Sequence, residues 1–148
     1  LMNQIAPMSD DAIAKVRLLE DELRLMPDGV NFETEHLLHA GLYHRTICIP
    51  AGCVVAGAFV QIDTTVIVHG DITVYVDGEP ILLMGHNVLP AYAGRKQAAF
   101  AHTDTYFTMS FATNAKTVEE AEEEFTNEAD ALGSRRADSS NLVQITGG

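Results

Sequence analysis

Between Phe32 and Thr113 the chain runs through short apolar or alternating stretches, each closed by a turn signal, and this rhythm leaves little choice of fold. The stretches are "YHRTICI", "CVVAGAFVQ", "TTVIV", "ITVYV", "PILLM", "QAAFA" and "TYFTMSFAT". The breaks fall at Pro50-Ala51-Gly52, His69-Gly70-Asp71, Asp77-Gly78, Gly85-His86-Asn87 and Ala93-Gly94. Within "VYVDGEPILL", Asp77-Gly78 predicts a two-residue hairpin, because such a turn needs residues that accept positive φ. Many short strands at this spacing predict a sandwich or a small barrel.

Helical patterns flank the β region. From about Asp10 to Met26 the apolar residues Ile13, Val16, Leu19, Leu23 and Met26 form one stripe. Ser9 is placed to cap this helix, Asp10 and Asp11 suit its positive end, and Pro27-Asp28-Gly29 is expected to stop it. In "TVEEAEEEFTNEADAL", Thr117 and Glu120 form a capping-box pattern. There Val118, Ala121, Glu122, Phe125, Ala129 and Leu132 share a narrow stripe, with Gly133 as the stop. The expected organisation is 1–31 as N-terminal helix and linker, 32–115 as a β-barrel, 116–133 as an acidic helix and 134–148 as a tail. The tail holds too little apolar surface to fold alone, so it is either disordered or an arm that orders on a partner through Leu142, Val143 and Ile145.

Charge narrows the partners. The 148 residues carry a net charge of -12, which disfavours phosphate and predicts no nucleic-acid partner. The longest apolar run, "CVVAGAFV", is too short to span a membrane as a helix, so no membrane partner is expected. No signal-peptide pattern precedes the first helix. Cys48 and Cys53 flank the Ile-Pro-Ala-Gly turn without forming a Cys-x-x-Cys pattern, and are read as buried thiols in a reducing compartment.

The residues "YHRTICIPAG", "VIVHGDITVYVDGE" and "GHNVLPAYAGRKQAAFAHTDTYFTMSFAT" resemble the cupin superfamily. They are closer still to small cupin-like proteins of tailed bacteriophages. The resemblance implies a mainly β fold, a cupin-like jelly-roll barrel with one N-terminal and one C-terminal α-helix. It also implies where metal ligands would sit. In the first cupin motif, counted from Gly52, the two histidine positions fall on Ala58 and Val60, and the glutamate position on Asp63 or Thr64. In the second motif Gly85 and Pro90 fit, but Tyr92 stands at the glycine position and Arg95 at the histidine position. Of these positions only Asp63 could bind a metal, and a permanently charged Arg95 pointing inward would repel a cation. No cofactor is therefore expected.

Other chemistry is thin. His36, His39 and His44 can be drawn together as a zinc set if the first two share a helical face. His102 and Asp104 are a candidate acid–base pair, while His69 and His86 fall in turns. His44-Arg45-Thr46 matches one phosphoesterase-type motif without its second copy, and no nucleophile elbow or phosphate loop occurs. "GRKQ", Gly94 to Gln97, is the most basic patch, and a sugar or anion site at a barrel mouth would use Arg95, Tyr92 and Tyr75.

The expected function is a non-enzymatic virion structural or assembly protein, decorating a capsid or serving as a tail adaptor. It would be made in the host cytoplasm, form a homo-oligomer, and contact other virion proteins. The alternatives are a metal-dependent cupin enzyme with unusual histidine ligands, a sugar-binding or anion-binding module, and an inhibitor of host defence.

Overall fold

The computed structural model describes residues 4–26 and 32–147. Helix α1 spans Asp10–Arg24, and the Ser9 side chain accepts the Ala12 N–H at its start. Its expected Pro27-Asp28-Gly29 stop lies outside the described residues. Strands follow as β1 (Thr34–His39), β2 (Leu42–Ile49), β3 (Val54–Ala56), β4 (Thr64–His69) and β5 (Ile72–Val76). After them come β6 (Glu79–Leu83), β7 (His86–Ala91), β8 (Ala98–Ala101), β9 (Thr105–Ala112), α2 (Val118–Phe125) and β10 (Asn141–Ile145).

The strands form two facing sheets rather than a closed barrel. One has six strands in the order β10-β1-β2-β9-β4-β7, and the other four in the order β3-β8-β5-β6. Alternation sets the faces: Val66 and Val68 of β4, and Ile72, Val74 and Val76 of β5, point into one core with Ile49, Leu83, Leu89 and Ala101. The β5–β6 hairpin turns at Asp77 and Gly78, both at positive φ. Helix α1 lies on the outer side of the four-stranded sheet, where Met8, Ala12 and Val16 meet Ala98, whose neighbour Ala99 points into the inner core.

The inner face of the six-stranded sheet has two covers. The four-stranded sheet covers one part. Helix α2 and the turns after it cover the rest, packing Ala121, Phe125, Ala129 and Leu132 on Leu38, Tyr43, Met109 and Phe111. The expected single helix to Leu132 is broken. It ends at Phe125, and the 3₁₀ turns Ala129–Ala131 and Gly133–Arg135 follow. Thr126 explains the break: it is buried in an extended conformation and its hydroxyl accepts the Glu128 N–H, an alternative to the helical bond.

The tail also departs from expectation. Residues 141–145 form a strand on their own chain, pairing in parallel with β1 from Thr34↔Asn141 to Leu38↔Ile145. Asn141 is the anchor, since its Oδ1 lies 2.7 Å from His36 Nε2.

Candidate functional site

The positions at which a cupin metal site would be built do converge. Val60 and Arg95 form a backbone bridge, with the Val60 N–H donating to the Arg95 carbonyl at 2.8 Å. Arg95, at the histidine position of the second motif, donates through Nη2 to the Thr64 hydroxyl at 2.7 Å. Thr64 is at a carboxylate position of the first motif, so the spacing of both motifs places their residues together in space.

The side chains that meet there do not fit a metal. Arg95 is 2% exposed, and its other guanidinium nitrogen donates to the carbonyls of Tyr92 and Ile62. Burial pushes its pKa down to about 10, and the nearby Asp63 carboxylate opposes that shift. At neutral pH the group stays charged, and a cation placed beside it would be repelled. Asp63 is turned away: it is exposed, and its Oδ1 accepts the Ala93 N–H at 2.8 Å. Val60 is buried in the apolar cluster under α2, and Ala58 packs against that cluster. Among the described residues, no three His, Cys, Asp or Glu side chains are grouped to hold a metal ion.

His36, His39 and His44 are dispersed for a simple reason. His36 and His39 lie on a strand, not a helix, so their odd spacing sends them to opposite faces. His36 points inward and is 3% exposed, whereas His39 is exposed and bonds the Thr146 hydroxyl. His44 is on the outer face of β2, with Nδ1 2.6 Å from the Ser110 hydroxyl. The zinc set of His36, His39 and His44 is therefore not assembled. His102 and Asp104 are also held separately: His102 Nε2 lies 2.7 Å from the Thr73 hydroxyl, and Asp104 Oδ1 accepts the Ala51 N–H.

Arg95, Tyr92 and Tyr75 do not line one pocket. Tyr75 points outward between the inward-facing Val74 and Val76, and Tyr92 is partly exposed, while the Arg95 guanidinium is engaged internally. The basic side chains of the "GRKQ" segment are both buried. Lys96 is fully buried, with Nζ 3.0 Å from Glu20 of α1 and 3.0 Å from Glu128 beyond α2. An open cleft of about 680 Å³ does occur, between α1 and the segment after α2, lined by both acidic and basic side chains such as Arg17, Glu20 and Glu128. Cys48 and Cys53 are partly buried rather than enclosed.

The richest polar cluster lies beneath α2. Glu122 is 2% exposed; its Oε2 accepts from Arg45 Nη1 and from the Ser134 hydroxyl, both at 2.7 Å, and its Oε1 accepts from Arg135 Nε at 2.9 Å. Burial alone would raise the Glu122 carboxyl, but the bonds from Ser134, Arg135 and Arg45 outweigh it and hold the pKa below the ordinary range. Arg45 also reaches the Tyr43 hydroxyl, which lies 2.7 Å from His36 Nδ1. Burial raises Tyr43 to about 12 and lowers His36, so both are neutral at pH 7. These groups satisfy one another: the cluster ties β10, β1, β2 and α2 together and presents no nucleophile. Its one sequence signal was Glu122, a carboxylate sitting on the apolar stripe of its helix; nothing in the sequence pointed to Tyr43.

No family model matches the sequence, and no curated protein matches it. Solved structures do match, and several of them are named as cupin proteins. Ectoine synthase from P. lautus superposes with a TM-score of 0.50 at 17% identity, covering 66% of this chain and 75% of that one. An RmlC-like cupin protein from Desulfovibrio desulfuricans gives 0.46 at 17% identity over 60% and 92% of the two chains. A cupin-2 domain protein from Shewanella frigidimarina gives 0.45 at 11% identity over 64% and 91%. The chain has the cupin fold. At these identities the likeness concerns the fold alone, and nothing in it connects the chain to bacteriophage proteins.

Proposed function

We propose that this chain is a non-enzymatic structural or assembly protein, a metal-free cupin fold used as a rigid block. One observation carries the reading: the place where the two ligand motifs converge is filled by the Arg95–Thr64 hydrogen bond and by the apolar packing of α2 on Val60. Filling of this kind suits a block that transmits shape to neighbours and leaves no room for a substrate beside a metal. The finer reading is a bacteriophage virion component, a capsid decoration or tail adaptor that meets copies of itself and other virion proteins. It rests on the sequence resemblance, with the acidic surface as its physical support.

Elemental analysis of protein purified without chelator and without nickel affinity is the test. The expected result is no stoichiometric metal. About one transition metal per chain, lost in an Asp63→Ala variant, would overturn the reading and make the chain a cupin enzyme candidate. Detection of the protein in purified phage particles tests the finer statement.

A further inference from the structure

The last strand carries an unguarded edge. Residues 141–147, Asn-Leu-Val-Gln-Ile-Thr-Gly, contain no charge and no proline, in a chain with 20% charged residues and a net charge of -12. Sheet edges are normally protected by charges, prolines or covering backbone, because unpaired N–H and C=O groups recruit other strands. Two other edges of this molecule follow that rule. Edge strand β6 begins Glu79-Pro80, and β7 is covered by Ile5, which donates its N–H to the Pro90 carbonyl and accepts the Tyr92 N–H. Edge strand β10 has no charge and no proline, and no strand of the described residues pairs with its outer side.

Its backbone polarity can be read from two bonds. Thr34 N–H donates to the Ser140 carbonyl, and Thr146 N–H donates to the Leu38 carbonyl. Even-numbered residues of this segment therefore face β1. The N–H and C=O groups of Asn141, Val143 and Ile145 then point to the opposite side, beyond which no strand of the described residues lies. On the two faces of this edge, Leu142, Val143 and Ile145 are 55%, 53% and 51% exposed.

We propose that β10 pairs antiparallel with β10 of a second copy of this chain, joining two six-stranded sheets into one continuous sheet. The charge distribution selects the occupant. An identical strand brings aliphatic side chains against aliphatic side chains and sets no carboxylate of one acidic copy against another. Such a contact is self-complementary and closes as a two-fold dimer. It is a single strand wide, so it belongs with small, reversible interfaces, and the dimer is concentration-dependent. The inference goes beyond the structural-block reading and does not depend on it, since an enzyme with this edge would pair in the same way.

Sedimentation velocity from about 1 μM to about 1 mM tests it on the full chain. The wild type is expected to shift from monomer to dimer across the series. Val143→Pro removes an outward N–H while leaving the β1 bonds in place, and is expected to stay monomeric at every concentration with an unchanged circular dichroism spectrum. Ile145→Lys keeps the backbone and adds a charge near the two-fold axis; it too is expected to stay monomeric, and it decides the matter if the proline variant does not fold. Leu82→Lys, on the edge strand β6, is expected to dimerise like the wild type. A wild type that is monomeric throughout, or that associates only with a different protein, overturns the proposal. So does a dimer that survives Ile145→Lys.

Discussion

Arg45 Nη1 lies 2.7 Å from Glu122 Oε2, a contact between β2 and α2 across 77 positions of sequence. It fastens the helix over the inner face of the six-stranded sheet, beside the ring of Phe125, over which the Arg45 guanidinium also sits at 5.5 Å. Removing one partner strands a buried charge. Glu122→Ala, which leaves the largely buried Arg45 without its carboxylate partner, is expected to cost about 3–5 kcal/mol in denaturant unfolding. The double variant Arg45→Met with Glu122→Leu is expected to recover much of that loss. If the double variant is as unstable as the two single losses summed, the pair is not coupled as described.

Acid sensitivity should centre on Glu128. Burial alone would raise its carboxyl, but the Phe59 N–H and the Arg17 and Lys96 side chains lower its pKa to about 2. A depressed carboxylate stabilises the fold fully above the ordinary glutamate range. That contribution drains away as pH falls from about 4.5 toward about 2. The Glu128→Gln variant is therefore expected to be less stable than the wild type at pH 7 by roughly 2–3 kcal/mol, with the gap narrowing below pH ~4. Unfolding free energies of both proteins across this range give the answer; a gap independent of pH would mean that Glu128 acts through packing alone.

Two glycines separate strain from crowding. Gly94 has φ of +86° with nothing near the place a Cβ would take, so Gly94→Ala is expected to cost only the left-handed backbone penalty, about 1 kcal/mol. Gly70 has φ of +137°, and a Cβ there would lie 2.5 Å from the Thr105 hydroxyl and 2.8 Å from the Asp104 carbonyl. Gly70→Ala should cost several-fold more. Equal melting temperatures for the two variants would contradict this account of the β4–β5 corner.

Truncation should show where the tail begins to matter. Deleting residues 141–148 removes half-exposed side chains but also the partner of His36 Nε2, and is expected to cost about 1–3 kcal/mol with the fold retained. Deleting from Ser134 onward takes two of the three donors from Glu122 as well, and is expected to be clearly worse. Similar losses for both deletions would show that Ser134 and Arg135 contribute little.

Local chemistry made much of this fold legible. Turn residues announced the β5–β6 hairpin, Ser9 announced the start of α1, and the frame of two cupin motifs located a convergence that the Arg95–Thr64 bond makes concrete. What failed depended on long-range pairing. "TEHLLH" has a helix-like histidine spacing, yet it is β1 because β2 pairs along its whole length. His86 and Asn87 were read as part of a turn and residues 88–91 as no strand, yet β4 recruits 86–91 as β7. "NLVQIT" looked like a spare arm because a parallel partner 107 positions away, Asn141 opposite Thr34, leaves no local trace. Lys96 belongs to the most basic patch of the sequence, yet it is buried, and only the approach of Glu20 and Glu128 makes that burial affordable in free energy.

That buried lysine governs how the molecule can come apart. Its two carboxylate partners come from α1 and from the segment after α2, one before and one after all nine strands of the central β region. Lifting either segment leaves a solvent-shielded cation half neutralised, so neither is free to fray by itself. Amide exchange in α1 and α2 should then occur at a shared rate set by one concerted opening, with the two ends of the chain behaving as a single latch.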